Sequence, residues 1–96
     1  MAYVRDNIVR DKETSARGSA TPSASGSLVI DTGLKNLYSF IAIDLVSGYG
    51  AYHIDNKSGV TGGSANITID SVDNGIVTLS GPSLTTSRTF TWSAAE

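Results

Sequence analysis

Ninety-six residues make a single domain, and a net charge of −2 with no basic cluster gives no electrostatic footprint for nucleic acid or an anionic membrane. The absence of cysteine excludes disulfides, zinc-thiolate sites and thiol catalysis. Hydrophobic residues make up 40% of the chain but aromatics only 7%, and the remainder is rich in Ser, Thr and Gly, as in turn-rich β proteins.

Residues 1–13, MAYVRDNIVRDKE, mix charges with four apolar side chains, Tyr3, Val4, Ile8 and Val9. They hold no apolar stretch of the signal-peptide kind, so synthesis in a cytoplasm is expected. Val4 and Ile8 share an i, i+4 spacing, but a peptide this short is marginal as an isolated helix. Residues 14–27, TSARGSATPSASGS, carry a single charge and little apolar surface, the composition of a linker or extended arm. The expected organisation is an N-terminal arm and linker over 1–27, whose four apolar residues contact a partner, and a β-domain over 28–96.

From Leu28 the pattern turns to β. Leu28-Val29-Ile30 ends at the turn signal Asp31-Thr32-Gly33. In LYSFIAIDLV, residues 37–46, both parities are largely apolar, which predicts a central strand covered on two sides. Tyr49 to Ile54 predicts the next strand, and Gly59 to Ser64 a flexible loop. Asn66 to Asp70 alternates, with Ile67 and Ile69 inward. Asp73-Asn74-Gly75 marks a tight hairpin turn into Ile76–Leu79. Thr89 to Ala94 closes the chain with Phe90 and Trp92 on one face. The fold class is therefore all-β, a small antiparallel sandwich or barrel of five to seven strands. Its expected interior holds Ile41, Ile43, Ile67, Ile69, Leu79, Phe90 and Trp92, and Tyr38 also reads as core.

Few residues invite a chemical role. His53 is the only histidine; as a general base it needs an orienting acid and a nucleophile that no motif in the sequence identifies, and a structural or surface histidine is expected. Asp70-Ser71-Val72-Asp73-Asn74-Gly75 is similar to a calcium loop in having oxygen side chains around a glycine turn, but its spacing is wrong for an EF-hand and no bidentate glutamate follows six residues after Gly75, which leaves a hairpin turn. Neither a Gly-x-Ser-x-Gly elbow nor a phosphate loop is present. These readings predict no catalytic residue, no metal and no cofactor. Tyr49, between Gly48 and Gly50, is a candidate contact for protein or carbohydrate.

Three short motifs suggest a family. Asp31-Thr32-Gly33-Leu34-Lys35, Asp73-Asn74-Gly75-Ile76-Val77 and the ending Thr89-Phe90-Thr91-Trp92-Ser93-Ala94 make the segment from Gly33 to Glu96 resemble the small β-domains of tailed-phage virion proteins, namely head decoration proteins, head fibres and tail-fibre tips. The resemblance implies a virion structural protein, made in the host cytoplasm and held to a major capsid or other virion protein by its N-terminal peptide. Because about seventy residues make a small core, self-association is also expected, with a homotrimer favoured. The alternative is a carbohydrate-binding or adhesin-like module using Tyr49 and the Gly59–Ser64 loop.

Overall fold

The computed structural model describes residues 15–61 and 66–96. They form eight antiparallel strands: β1 Ser15–Ala20, β2 Ser27–Asp31, β3 Ser39–Ile43, β4 Gly50–Ile54, β5 Lys57–Thr61, β6 Thr68–Asp73, β7 Ile76–Ser80 and β8 Phe90–Ala95. One sheet has the order β1-β8-β3-β4-β5 and the other β2-β7-β6. The fold is all-β, as the alternating patterns predict. Between the sheets, Leu28 and Ile30 of β2 and Val77 and Leu79 of β7 share one core with Phe40 of β3 and Phe90 of β8. Ile67 and Leu84, just outside the strands, are buried with them.

Two strands arise where the sequence suggested linker and loop, which is why there are eight. Ser15–Ala20 pairs along its length with β8, from Ser15 opposite Ala95 to Ala20 opposite Phe90. Its alternation is one of small residues, with Ala16 and Ala20 packed on the core and Ser15, Arg17 and Ser19 outward. Alanine buries too little surface for that period to stand out in composition. Gly18 lies opposite Trp92, and a Cβ there would sit 3.2 Å from the indole, so the small residue gives the ring its place.

The second addition is β5, which takes Lys57 to Thr61 into a hairpin with β4. Asp55 and Asn56 both have positive φ, 50° and 66°, the pair of conformations that a type I′ turn requires. An L-residue other than glycine is strained there. Asn56→Gly gives the turn its preferred second residue, and relief of the positive-φ strain, about 1–2 kcal/mol, should outweigh the entropy that glycine adds to the unfolded chain, read as a higher urea midpoint at unchanged slope.

Two of the sequence motifs meet in space. Thr32 Oγ1 donates to the Gly75 carbonyl at 2.7 Å, and the Thr32 N–H donates to the same oxygen at 2.9 Å. Leu34 is buried beside this contact, and its carbonyl oxygen lies 2.5 Å from where a Cβ on Gly75 would fall. The Asp31–Leu34 turn thus clasps the Asn74–Gly75 turn, and glycine is required at position 75 by φ (84°) and by space.

The expected interior needs correction at five residues, one of them Ile69, which is only half-buried against the core. Ile41 is 38% exposed and Ile43 is only half-buried, because Phe40 and Ala42 are the residues of β3 that point into the core. Strand β3 is central in its sheet, yet among the described residues only one of its faces is covered. Tyr38 is exposed. Trp92 is half-buried at the margin of the core, its ring centroid 6.3 Å from that of Phe40.

Candidate functional site

The exposed face of the larger sheet is ordered by its register. Ser93, Ile41, Tyr52 and Gly59 form one cross-strand row, and Ala95, Ser39, Ile54 and Lys57 the next. Tyr52 leans over its neighbour: a Cβ on Gly59 would fall 2.5 Å from the phenolic oxygen. Ile41, Tyr52 and Ile54 line a depression of about 460 Å³ floored by small residues of β8. Ile54 is 47% exposed. A shallower hollow continues toward β1 past Ile43, Thr91 and Ser19. Among the described residues no carboxylate lines either, and Arg17 and Lys57 stand at opposite sides. Scattered exposed aliphatics are ordinary; the trough differs in gathering Ile41, Tyr52 and Ile54 on the middle strands of one sheet, which makes it the candidate contact surface.

A second apolar feature is the β3–β4 loop. Leu45 is 74% exposed and Val46 95%, the most exposed large apolar side chains among the described residues. The loop beneath them is tightly bonded. The Asp44 N–H donates to the Tyr49 carbonyl at 2.8 Å and the Gly48 N–H to the Asp44 carbonyl at 2.7 Å. The buried Asp44 carboxylate accepts from the Val46 N–H at 3.0 Å, the Ser47 hydroxyl at 2.9 Å and Arg88 Nη1 at 2.5 Å. The hydrogen bond from Arg88 is the main reason the Asp44 carboxyl lies below its ordinary pKa; burial opposes it, and the Val46 and Ser47 donors assist. Arg88 also lies over the Tyr49 ring, 5.9 Å from its centroid.

Loops 21–26, 44–49 and 81–89 gather at this end, joined by Gly26 to Leu84, Thr21 to Thr89 and Asp44 to Arg88 contacts. Asp44 and Arg88 are the only charged residues in these three loops, and they neutralise each other. The end of the sandwich carrying Leu45 and Val46 is therefore electrically quiet.

The only histidine lies elsewhere. His53 is buried, and its Nδ1 is 2.9 Å from the Ser58 hydroxyl, its cross-strand neighbour. It borders a polar cleft of about 370 Å³ with Lys35, Asn56, Asp70 and Asn74. Asp70 accepts instead from the Ser80 hydroxyl at 2.9 Å, at a bulge where the β6 register slips. Among the described residues no carboxylate is bonded to the imidazole, and no three His, Cys, Asp or Glu side chains converge as metal ligands.

Of the expected partner-binding residues, Tyr3, Val4, Ile8 and Val9 lie outside the described residues. Tyr49 is half-buried against the core and under Arg88, so it supports the loop rather than standing free of it. The residues missed were Asp44, Arg88, Leu45 and Val46. A local signal for the loop was present in Asp44-Leu45-Val46-Ser47-Gly48, an Asp followed by Ser and Gly at turn spacing. Comparison with protein-family models, curated proteins and solved structures finds no match.

Proposed function

We propose that this chain is a structural component of a tailed-phage virion, a capsid decoration, head-fibre or tail-associated protein. It attaches to a capsid or other virion protein through the part of the expected 1–27 arm that precedes β1, since Ser15–Ala20 is already paired with β8, and associates with its own copies, a homotrimer being favoured. The observation that carries an assembly role is the apolar trough over Ile41, Tyr52 and Ile54, on the middle strands of a sheet whose other face is already packed. Burial of such a surface is the main favourable term in association. The virion setting comes from the sequence resemblance alone.

The test is co-sedimentation. Antibody to the purified chain should detect it in particles banded from a lysate of its natural host, and it should remain after a high-salt wash. Added to particles lacking it, the intact chain should restore occupancy and a chain without residues 2–13 should not. Recovery only in the soluble fraction would overturn the proposal. Equal occupancy by the shortened chain would move attachment to the β-domain.

A carbohydrate-binding reading has one observation in its favour, the polar cleft beside His53. Saturable shifts of the His53 and Asn56 amides on titration with a monosaccharide panel would support it over an assembly role.

A further inference from the structure

The loop tip and the trough are two apolar features with no partner among the described residues, and they differ in shape. Leu45 and Val46 project; the surface over Ile41, Tyr52 and Ile54 is hollow. From this we infer that the Leu45–Val46 tip of one copy inserts into the Ile41–Tyr52–Ile54 trough of the next. The inference rests on the assembly reading and specifies its self-contact.

Three observations choose a second copy as the occupant. The first is size: a hollow of about 460 Å³ has room for two aliphatic side chains. The second is charge. Loops 21–26, 44–49 and 81–89 carry no unpaired charge, and among the described residues no carboxylate lines the trough, so apart from Arg17 and Lys57 at the sides the one ionic group that docking draws from water is Arg88, already paired with Asp44. The third is preparation. Hydrogen bonds from Val46, Ser47, Gly48 and Arg88 hold the loop before it meets anything, so little ordering is added on contact. A two-fold pairing of trough on trough would cover the hollow and leave both tips in water.

Tip and trough are different patches of one chain, so the contact is heterologous. It relates each copy to the next by a rotation that either closes a ring, as a trimer would, or runs on as a filament.

Analytical ultracentrifugation over a concentration series of the full chain tests this. Val46→Asp removes the tip and Ile54→Asp the trough, both at exposed positions, and far-UV circular dichroism with a cooperative melt shows whether each variant folds. Leu45→Asp and Ile41→Asp are second choices should either fail. Each variant alone should self-associate at least about tenfold more weakly than the parent. An equimolar mixture of the two should form a 1:1 complex that grows no further, because one retains the trough and the other the tip. If Val46→Asp associates like the parent, the face pairs with itself and the inference is wrong. It is equally wrong if the mixture stays monomeric, or if the parent is monomeric at every concentration. None of these results bears on attachment to particles, which the co-sedimentation experiment decides separately.

Discussion

Arg88→Ala should lower the stability of the domain by about 2–4 kcal/mol, a large share of what a small domain possesses. The substitution leaves the Asp44 carboxylate buried without its cation, a change that typically costs about 3–5 kcal/mol. The range is reduced because Arg88 is 35% exposed, so water already screens part of the attraction. The same pair sets an acid sensitivity. The Asp44 carboxyl is held below its ordinary value of 3.8 in the folded chain, so its contribution is complete above about pH 4 and declines as pH falls through the lowered value. In Arg88→Ala the chief lowering influence is gone while burial still disfavours the charge, so this acid-side loss should shrink or reverse. Urea unfolding at pH 7 and at pH 3 for parent and variant measures both effects. Equal midpoints at pH 7 would show that the ion pair contributes nothing.

Phe40→Ala should be more damaging still, at about 3–5 kcal/mol. The ring is 1% exposed, sits on the middle strand of the larger sheet and is stacked on Trp92. Its neighbour gives the control. Ile41 points the other way, so Ile41→Ala should change the stability of the monomer by no more than about 0.5–1 kcal/mol. Two adjacent apolar residues of one strand would then differ severalfold in their effect. Trp92 is the only tryptophan, and its fluorescence should shift in Phe40→Ala and hardly at all in Ile41→Ala. Comparable losses for both would mean that the parity of β3 is not as described.

That parity also shows where sequence reasoning succeeds. Ile67, Leu79 and Phe90 could be placed inside from alternation and bulk, and Asn74-Gly75 as a turn, because the cause in each case is local. For residues 37–46 alternation could not choose a face, since both parities are apolar, and the reasonable expectation was cover on both sides. The side with no cover among the described residues is the candidate contact surface. Strand β1 was hidden because its core-facing positions are alanine and glycine, and β5 because its turn uses Asp-Asn in place of Asn-Gly. The Asp44–Arg88 pair spans 44 residues of sequence, a separation at which spacing gives no guide.

Strand β8 lies between β1 and β3, bonded to both, with Ser15 and Ser39 each opposite Ala95. During synthesis β1 is made early and has nothing to pair with until β8 leaves the ribosome. The β3–β4–β5 meander can form beforehand, but β3 then presents an open edge beside the apolar Ile41 and Ile43. Completion of the larger sheet is thus deferred to the last strand, and until then the nascent chain carries an unpaired, partly apolar template for neighbouring chains. A ribosome stalled before Phe90 should hold an aggregation-prone intermediate, and one stalled on a long linker appended after Glu96 a protease-resistant domain.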